Sequence, residues 1–194
     1  MKYTFFDKKL ATALAYKNAL NEIPETRFFV GHFGDIPDTF DAIVSPANSF
    51  GFMDGGIDLV YTQYFGIHVQ ENLQKQIADL PRKELLVGEA LLVETNHQKF
   101  KNVIAAPTMR TPQRISYTAN AFLAMRAVIQ IAKVAGYETI AVPGLGTGVG
   151  KMDPDICARQ VWAAILWENG LPKPPTTIAE HTKLEELIKQ GMEK

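Results

Sequence analysis

The chain has 194 residues, 46% of them hydrophobic and 10% aromatic, which is typical of one compact domain with a full core. Twenty Lys and Arg residues against 21 Asp and Glu residues leave a formal net charge of −1. This balance argues against nucleic acid or an anionic membrane as a partner, because such binding needs a basic surplus on one face.

The sequence contains one cysteine, Cys157, so no internal disulfide can form, and its apolar helical setting predicts a buried structural thiol. The four histidines are far apart and lack ligand spacing, so we expect no metal site. No run of about 18 apolar residues predicts a membrane span, and no signal peptide is recognisable at residues 1–10. A cytoplasmic protein is therefore expected.

Strand and helix patterns alternate along most of the chain. Strands are predicted where aromatic and β-branched residues cluster, and helices where apolar residues recur every three or four positions. In chain order, the sequence predicts a strand at 2–7, a helix at 8–23, strands at 26–35 and 40–48, a helix at 57–80 broken at Gly66, strands at 88–95 and 101–108, a helix at 117–136, a strand at 139–144 and a helix at 153–170. This alternation is typical of an α/β sandwich with helices on both faces of the sheet.

The ends of the last two of these helices carry their own signals. Gly136 is the expected C-cap of one, and Asp153 followed by Pro154 is typical of the first residues of the other. The stretch "LPKPPTT" (171–177) breaks the pattern and is expected to run over the surface, ahead of one exposed or loosely docked helix. We therefore expect one domain over residues 1–170 and a C-terminal tail over 171–194.

Two glycine-rich loops each follow a predicted strand: "SPANSFGFMDGGIDLVY" (45–61) and "VPGLGTGVGKMD" (142–153). The second is not a Walker A loop, which needs Ser or Thr where Met152 stands, nor a Rossmann fingerprint, since its glycines fall at every second position late in the chain. Loops that leave two strands of an open α/β sheet can close on one ligand. Backbone N–H groups at a helix N-terminus favour an anion there, and two such loops suit a diphosphate.

These loops, with "GDIPDTFDAIVSPAN", "GEALLVET" and "VIAAPTMR", resemble the macro domain, the ADP-ribose-binding module, from about Gly34 to Glu168. The resemblance implies a three-layer α/β/α sandwich with a mixed central sheet. Residues 1–26 look like the N-terminal strand and helix added in some members. The implied partner is ADP-ribose or an ADP-ribosylated substrate, and the oligomeric state is left open.

The resemblance also implies the roles of individual residues. Asp35 would accept a hydrogen bond from the adenine amino group, Ile36 would add a backbone or apolar contact, and Asn48 would orient the distal ribose. The two loops would pass along the phosphates and the distal ribose with Gly55, Gly56, Ile57, Gly146, Thr147, Gly148, Val149 and Gly150.

Each role has a structural alternative. Asp35 can cap a turn, the Asn48 side chain can hold its own loop together, and the glycines can form tight turns without a ligand. The side chains of Arg110 and Arg114 either reach the ligand or are solvated.

Two further expectations concern the first loop. Phe50 and Phe52 are expected to pack in the core rather than against a nucleoside. Asp54 is expected to be the N-cap of the following helix.

Whether the protein is a hydrolase or only binds its ligand depends on the role of Asp58. In hydrolytic members of one branch, an aspartate after Gly-Gly and an aliphatic residue helps to orient or activate water at the distal ribose, and "GGID" has this pattern. An acidic residue in the first turn of a helix also stabilises the helix dipole without doing chemistry. A second branch uses a lysine in the helix after the first loop, and "DLVYTQYFG" has none.

We therefore expect a protein that binds ADP-ribose or a close derivative and hydrolyses an ADP-ribosyl linkage or a group on its distal ribose. Asp58 and Asn48 are the candidate catalytic residues, and neither a metal nor a cofactor is required. The alternatives are a non-catalytic reader of ADP-ribose and a scaffold that binds a protein partner.

Overall fold

The computed structural model describes residues 1–170 and 175–191. Its strands are β1 (Lys2–Asp7), β2 (Thr26–Val30), β3 (Phe40–Ser45), β4 (Leu91–Glu94), β5 (Phe100–Ala105) and β6 (Thr139–Val142). Its helices are α1 (Leu10–Leu20), α2 (Gly56–Phe65), α3 (His68–Asp79), α4 (Asn120–Val134), α5 (Pro154–Glu168) and α6 (Ile178–Gln190). A short 3-10 turn covers Phe33–Asp35.

The six strands form one sheet in the order β2-β1-β6-β3-β5-β4. All neighbouring pairs are parallel except β4 and β5, which are antiparallel, so the sheet is mixed. The carboxyl ends of β2, β1, β6 and β3 therefore follow one another along one edge of the sheet.

Alternating side chains of the strands divide the core into two layers. In β3, Ala42 and Val44 pack with α1, α4 and α5 on one face, whereas Ile43 packs with α2 and α3 on the other. The same alternation separates Ile140 and Val142 from Ala141 in β6, because successive strand residues point to opposite faces. The predicted three-layer α/β/α sandwich with a mixed sheet is confirmed.

Most predicted element boundaries differ from the observed ones by a few residues. β3 ends at Ser45, directly before Pro46, and the predicted break at Gly66 separates α2 from α3. The strand predicted at 26–35 is too long, because β2 ends at Val30 and the chain then leaves the sheet edge in the 3-10 turn.

The two predicted helix ends are close to the observed ones. The Asp153 side chain caps α5 by accepting hydrogen bonds from the backbone N–H groups of Asp155 and Ile156, at 2.9 and 3.2 Å. Gly136 lies one position beyond the C-cap residue Ala135, in the left-handed conformation with φ +69° that favours glycine there.

The tail helix α6 packs on α5. Ile188 is buried in the layer formed with α1, α4 and α5, and the Arg159 Nε donates a hydrogen bond to the Gly191 carbonyl at 3.0 Å. Residues 171–174, part of the stretch predicted to run over the surface, and residues 192–194 lie outside the described residues. The division of the chain after residue 170 stays a prediction.

None of the helices in residues 1–170 and 175–191 is long and apolar enough to cross a membrane.

Candidate functional site

A cavity of about 450 Å³ lies at the carboxyl ends of β2, β1, β6 and β3. Parallel strands bring the loops that follow them to one edge of a sheet, and this is where open α/β sheets bind ligands. Its walls are formed by segments following all four strands and by the turn after β5, and include Phe6–Lys9, Gly31–Phe33, Pro46–Asn48, Asp54–Asp58, Thr108–Met109 and Gly146–Gly150. Both predicted glycine loops therefore line the same cavity.

Asn48 lies in the first loop and pairs with Met109 in a parallel bridge next to β3 and β5. Its side-chain oxygen accepts hydrogen bonds from the backbone N–H groups of Phe50 and Phe52, at 3.1 and 3.3 Å. Its side-chain nitrogen donates to the Phe52 carbonyl at 2.7 Å. The Asn48 side chain thus holds its own loop together, which was the alternative to a ligand contact, and Asn48 also lines the cavity. A contact with a ribose stays a prediction.

The first loop ends at the N-terminus of α2. Gly55 occupies the N-cap position, where we expected Asp54, and no side chain caps this helix end. A Cβ added to Gly55 or Gly56 would meet no atom within 4 Å, so the backbone here is open to the cavity. Helix N–H groups without a side-chain cap favour an anionic ligand.

Asp58 lies in the first turn of α2 and is only 7% exposed. Its Oδ1 accepts a hydrogen bond from the Ser45 hydroxyl at 2.6 Å. Burial raises the pKa of the Asp58 carboxyl to about 7; the Ser45 hydrogen bond works against this rise, and the charge of Asp54 adds to it. A carboxyl with a pKa near 7 can accept or release a proton at neutral pH.

The second loop contains glycines of two kinds. A Cβ on Gly146 would lie 2.5 Å from the Ile115 side chain, and a Cβ on Gly150 would lie 2.5 Å from the Gly146 carbonyl oxygen. At these two positions the fold itself requires glycine. A Cβ on Gly148 would meet nothing within 4 Å, so the packing of the protein leaves the choice of glycine there unexplained.

Asp35 and Ile36, which the resemblance places at the adenine, are not among the residues that line the cavity. Asp35 is exposed at the end of the 3-10 turn, and Ile36 is 1% exposed in the core. His32 and Phe33 line the cavity in their place, with ring centroids 4.5 Å apart. The roles of Asp35 and Ile36 stay predictions.

Residues at the end of β1 and directly after it also belong to the site, and they were not predicted from the sequence. Asp7, Lys8 and Lys9 line the cavity beside Gly144 and Thr147. The signal that could have found them is topological: once β1 is counted as a parallel strand, the residues after it must reach the same edge as the glycine loops.

The sequence left open whether the side chains of Arg110 and Arg114 reach the ligand. Arg110 does not line the cavity: its Nε donates a hydrogen bond to Glu84 Oε2 at 2.7 Å, and its guanidinium lies over the Phe50 ring. Arg114 is exposed.

The expectation of core packing is wrong for Phe52, which is 53% exposed and lines the cavity, because the loop of Asn48 turns its ring outward.

Cys157 is buried, and its Sγ donates a hydrogen bond to the Leu145 carbonyl at 3.2 Å, beside the second loop. Over the described part of the chain, no three His, Cys, Asp or Glu side chains come together as metal ligands do.

Comparisons with known proteins agree with this architecture. The family model described as Macro domain matches residues 44–161. An uncharacterized protein of Aeropyrum pernix is 34% identical over 154 residues, which cover 79% of this chain and 77% of that protein. One from Aquifex aeolicus is 37% identical over 119 residues, covering 61% and 68%.

Solved structures share the fold at low identity. The macrodomain of Mycobacterium tuberculosis DarG has a TM-score of 0.54 and 21% identity, with 80% of this chain and 90% of that chain covered. A mutant Oceanobacillus iheyensis macrodomain with ADPR has a TM-score of 0.59 and 19% identity, with 67% and 71% covered. The Trypanosoma brucei macrodomain in complex with ADP has a TM-score of 0.52 and 21% identity, with 68% and 54% covered. Because the family model spans more than half of its residues, the chain belongs to the macro domain family.

Proposed function

We propose that this protein binds ADP-ribose or a close derivative in the cavity between the two glycine loops. The observation that carries the proposal is the convergence of two loops, about 90 residues apart in the sequence, on one cavity of about 450 Å³. Gly55 and Gly148, where neither packing nor a left-handed backbone requires glycine, both line it, as does Gly56, whose φ of +58° favours glycine. Open backbone on two sides allows close approach to a diphosphate.

The dimensions of the sheet edge support a ligand of this length. Neighbouring strands lie about 4.8 Å apart, so the carboxyl ends of β2, β1, β6 and β3 span roughly 14 Å. An adenine at the β2 end, a diphosphate at the β6 loop and a second ribose at the β3 end fit this order. Macrodomains of the same fold with ADPR and with ADP support the same ligand class.

We further propose hydrolysis at the distal ribose, with Asp58 as the proton acceptor. In an ADP-ribosyl linkage, water would attack the ribose carbon that carries the leaving group and the bond to that group would break. In an ester on the distal ribose, water would attack the acyl carbon and the ribose oxygen would leave. In both cases Asp58 would take the proton from the water. The leaving group would depart with the bonding electrons and gain a proton from solvent. The Ser45 hydrogen bond supports this role because it fixes the orientation of the Asp58 carboxylate.

The second candidate is a reader that binds ADP-ribose without turnover. The burial of Asp58 favours it, because a carboxyl that is 7% exposed and already bonded to Ser45 has little room for a water molecule. In this case Asp58 orders the start of α2 and has no chemical role.

Binding is tested by calorimetric titration of ADP-ribose into wild type, Gly148→Val and Gly148→Ala. We expect micromolar binding to wild type and a stepwise loss of affinity as the side chain at Gly148 grows. The φ of Gly148 is not in the left-handed region and its Cβ would meet no protein atom within 4 Å, so both variants should keep the melting temperature of wild type. No heat of binding with wild type would contradict the proposal.

Turnover is tested separately with a mono-ADP-ribosylated peptide and with an O-acylated ADP-ribose, by following release of ADP-ribose or of the acyl group. Hydrolysis by wild type and its loss in Asp58→Asn, with ADP-ribose affinity within about twofold of wild type, would support the enzyme. Binding without turnover of either substrate would favour the reader.

A further inference from the structure

Asp7 brings a carboxylate into the cavity from the N-terminal strand. Its Oδ1 accepts a hydrogen bond from the Lys9 backbone N–H at 2.8 Å, which fixes the side chain at the start of α1. Its Oδ2 lies beside Gly144 and would be 2.8 Å from a Cβ at that position. Because Gly144 has no side chain, there is room for the Asp7 carboxylate beside it.

Thr147 places a hydroxyl at the same spot. Its Oγ1 and the Asp7 Oδ2 both lie within 2.8 Å of the point where a Gly144 Cβ would stand. Among the described residues, neither of these two oxygens has a hydrogen-bond partner, and both residues line the cavity. A carboxylate only accepts hydrogen bonds, whereas a hydroxyl donates and accepts, so this pair suits neighbouring hydroxyl groups on a sugar.

The sheet order assigns the pair to one part of the ligand. Asp7 ends β1 and Thr147 follows β6, so the pair lies between the β2 end with His32 and Phe33 and the β3 end with Asp58. If the base binds at the β2 end, the first sugar reached along this edge is the ribose of the adenosine.

On the basis of the proposed function, we propose that Asp7 and Thr147 bind the hydroxyl groups of the adenosine ribose. The carboxylate of Asp7 then excludes ligands that carry a phosphate on that ribose. A 2′-phosphate would take the place of a hydrogen-bond donor and bring its negative charge directly against Asp7.

Lys8 and Lys9 also line the cavity, and their charges oppose this exclusion. Both are exposed, so solvent and salt screen them, whereas Asp7 is half-buried and held by the Lys9 N–H. The less screened charge of Asp7 therefore decides the selectivity.

The test compares ADP-ribose with 2′-phospho-ADP-ribose by calorimetry in wild type, Asp7→Asn and Thr147→Val. We expect wild type to bind ADP-ribose about tenfold or more tightly than its 2′-phosphate, because like charges in contact are strongly unfavourable. In Asp7→Asn this ratio should fall below about threefold, since the amide carries no charge. Thr147→Val should weaken binding of ADP-ribose with a smaller change in the ratio.

Asp7→Asn keeps an oxygen that can accept the Lys9 hydrogen bond, so the variant should fold, and its melting temperature checks this. Asp79→Asn makes the same charge change on an exposed side chain outside the cavity and should keep the wild-type ratio. Wild-type binding of both ligands with equal affinity, or a ratio unchanged in Asp7→Asn, would overturn this inference alone. Binding of neither ligand would overturn the proposed function, and this inference with it.

Discussion

At the scale of single residues, the position of Asp58 at the start of a helix favours its negative charge, whereas its burial disfavours that charge. The first turn of α2 and the Ser45 hydroxyl both stabilise a negative charge. Burial opposes them and dominates, so the pKa of Asp58 rises from 3.8 to about 7. The folded protein therefore binds this proton more tightly than the unfolded chain does.

This difference predicts how stability depends on pH. The contribution of Asp58 is fully present below pH 3.8 and is lost as the pH rises to about 7, because the unfolded chain releases the proton earlier. Between pH 5 and pH 8, the free energy of unfolding of wild type should fall by roughly 2–3 kcal/mol relative to Asp58→Asn, which cannot ionise. Urea denaturation of both proteins across this range measures it. Parallel curves for the two proteins would contradict the raised pKa.

At the scale of elements, α6 shows how a polar sequence can still be docked. The sequence of the tail has no strong apolar face, and we expected an exposed or loosely docked helix. The structure docks α6 on α5 through Ile188, which is 3% exposed, and through the hydrogen bond from Arg159 Nε to the Gly191 carbonyl. A capping box of Thr177 and Glu180 stabilises the first turn of the helix itself. Ile178, at the other end of the helix, is 82% exposed.

These two isoleucines form a matched pair for testing the docking. Ile188→Ala should lower the free energy of unfolding by about 2–4 kcal/mol, because it leaves a cavity against α5. Ile178→Ala should change it by less than about 0.5 kcal/mol, because its side chain is in solvent. Urea denaturation of the two variants and of wild type measures both changes in the free energy of unfolding. Equal, small effects would indicate that α6 does not dock in solution.

At the scale of the whole molecule, the cavity depends on the correct assembly of the sheet. Its walls come from the ends of four strands and from the turn after β5, which are remote in sequence, and β1 lies between β2 and β6 along that edge. A ligand that bridges these ends stabilises the folded chain as a unit, because the unfolded chain has no such edge.

This coupling predicts the effect of ligand on thermal unfolding. ADP-ribose at 100 times its dissociation constant should stabilise the fold by about 2.7 kcal/mol and raise the melting temperature by roughly 5–10 °C. Adenosine monophosphate, which lacks the second phosphate and the distal ribose, should give a smaller rise at equal concentration. Scanning calorimetry compares them, and equal shifts would argue against contacts at the β3 end.

Local patterns in the sequence are sufficient for most of the fold. The alternation of strands and helices, the break at Gly66 and the Asp153 cap depend on neighbours within a few residues, and so the amino-acid order alone reveals them. The convergence of the two glycine loops also follows, because parallel strands bring their carboxyl ends to one edge.

The remaining features depend on packing between distant segments. Only tertiary contacts decide that Asp58 is buried against Ser45, that Gly146 and Gly150 are required by the fold while Gly148 is open, and that Ile188 docks α6. The same holds for Asp7, which reaches the cavity because β1 inserts beside β6, 137 positions away by the Lys2–Thr139 register. Burial and close approach depend on the arrangement of the whole chain, whereas helix caps, turns and strand periodicity are set by adjacent residues.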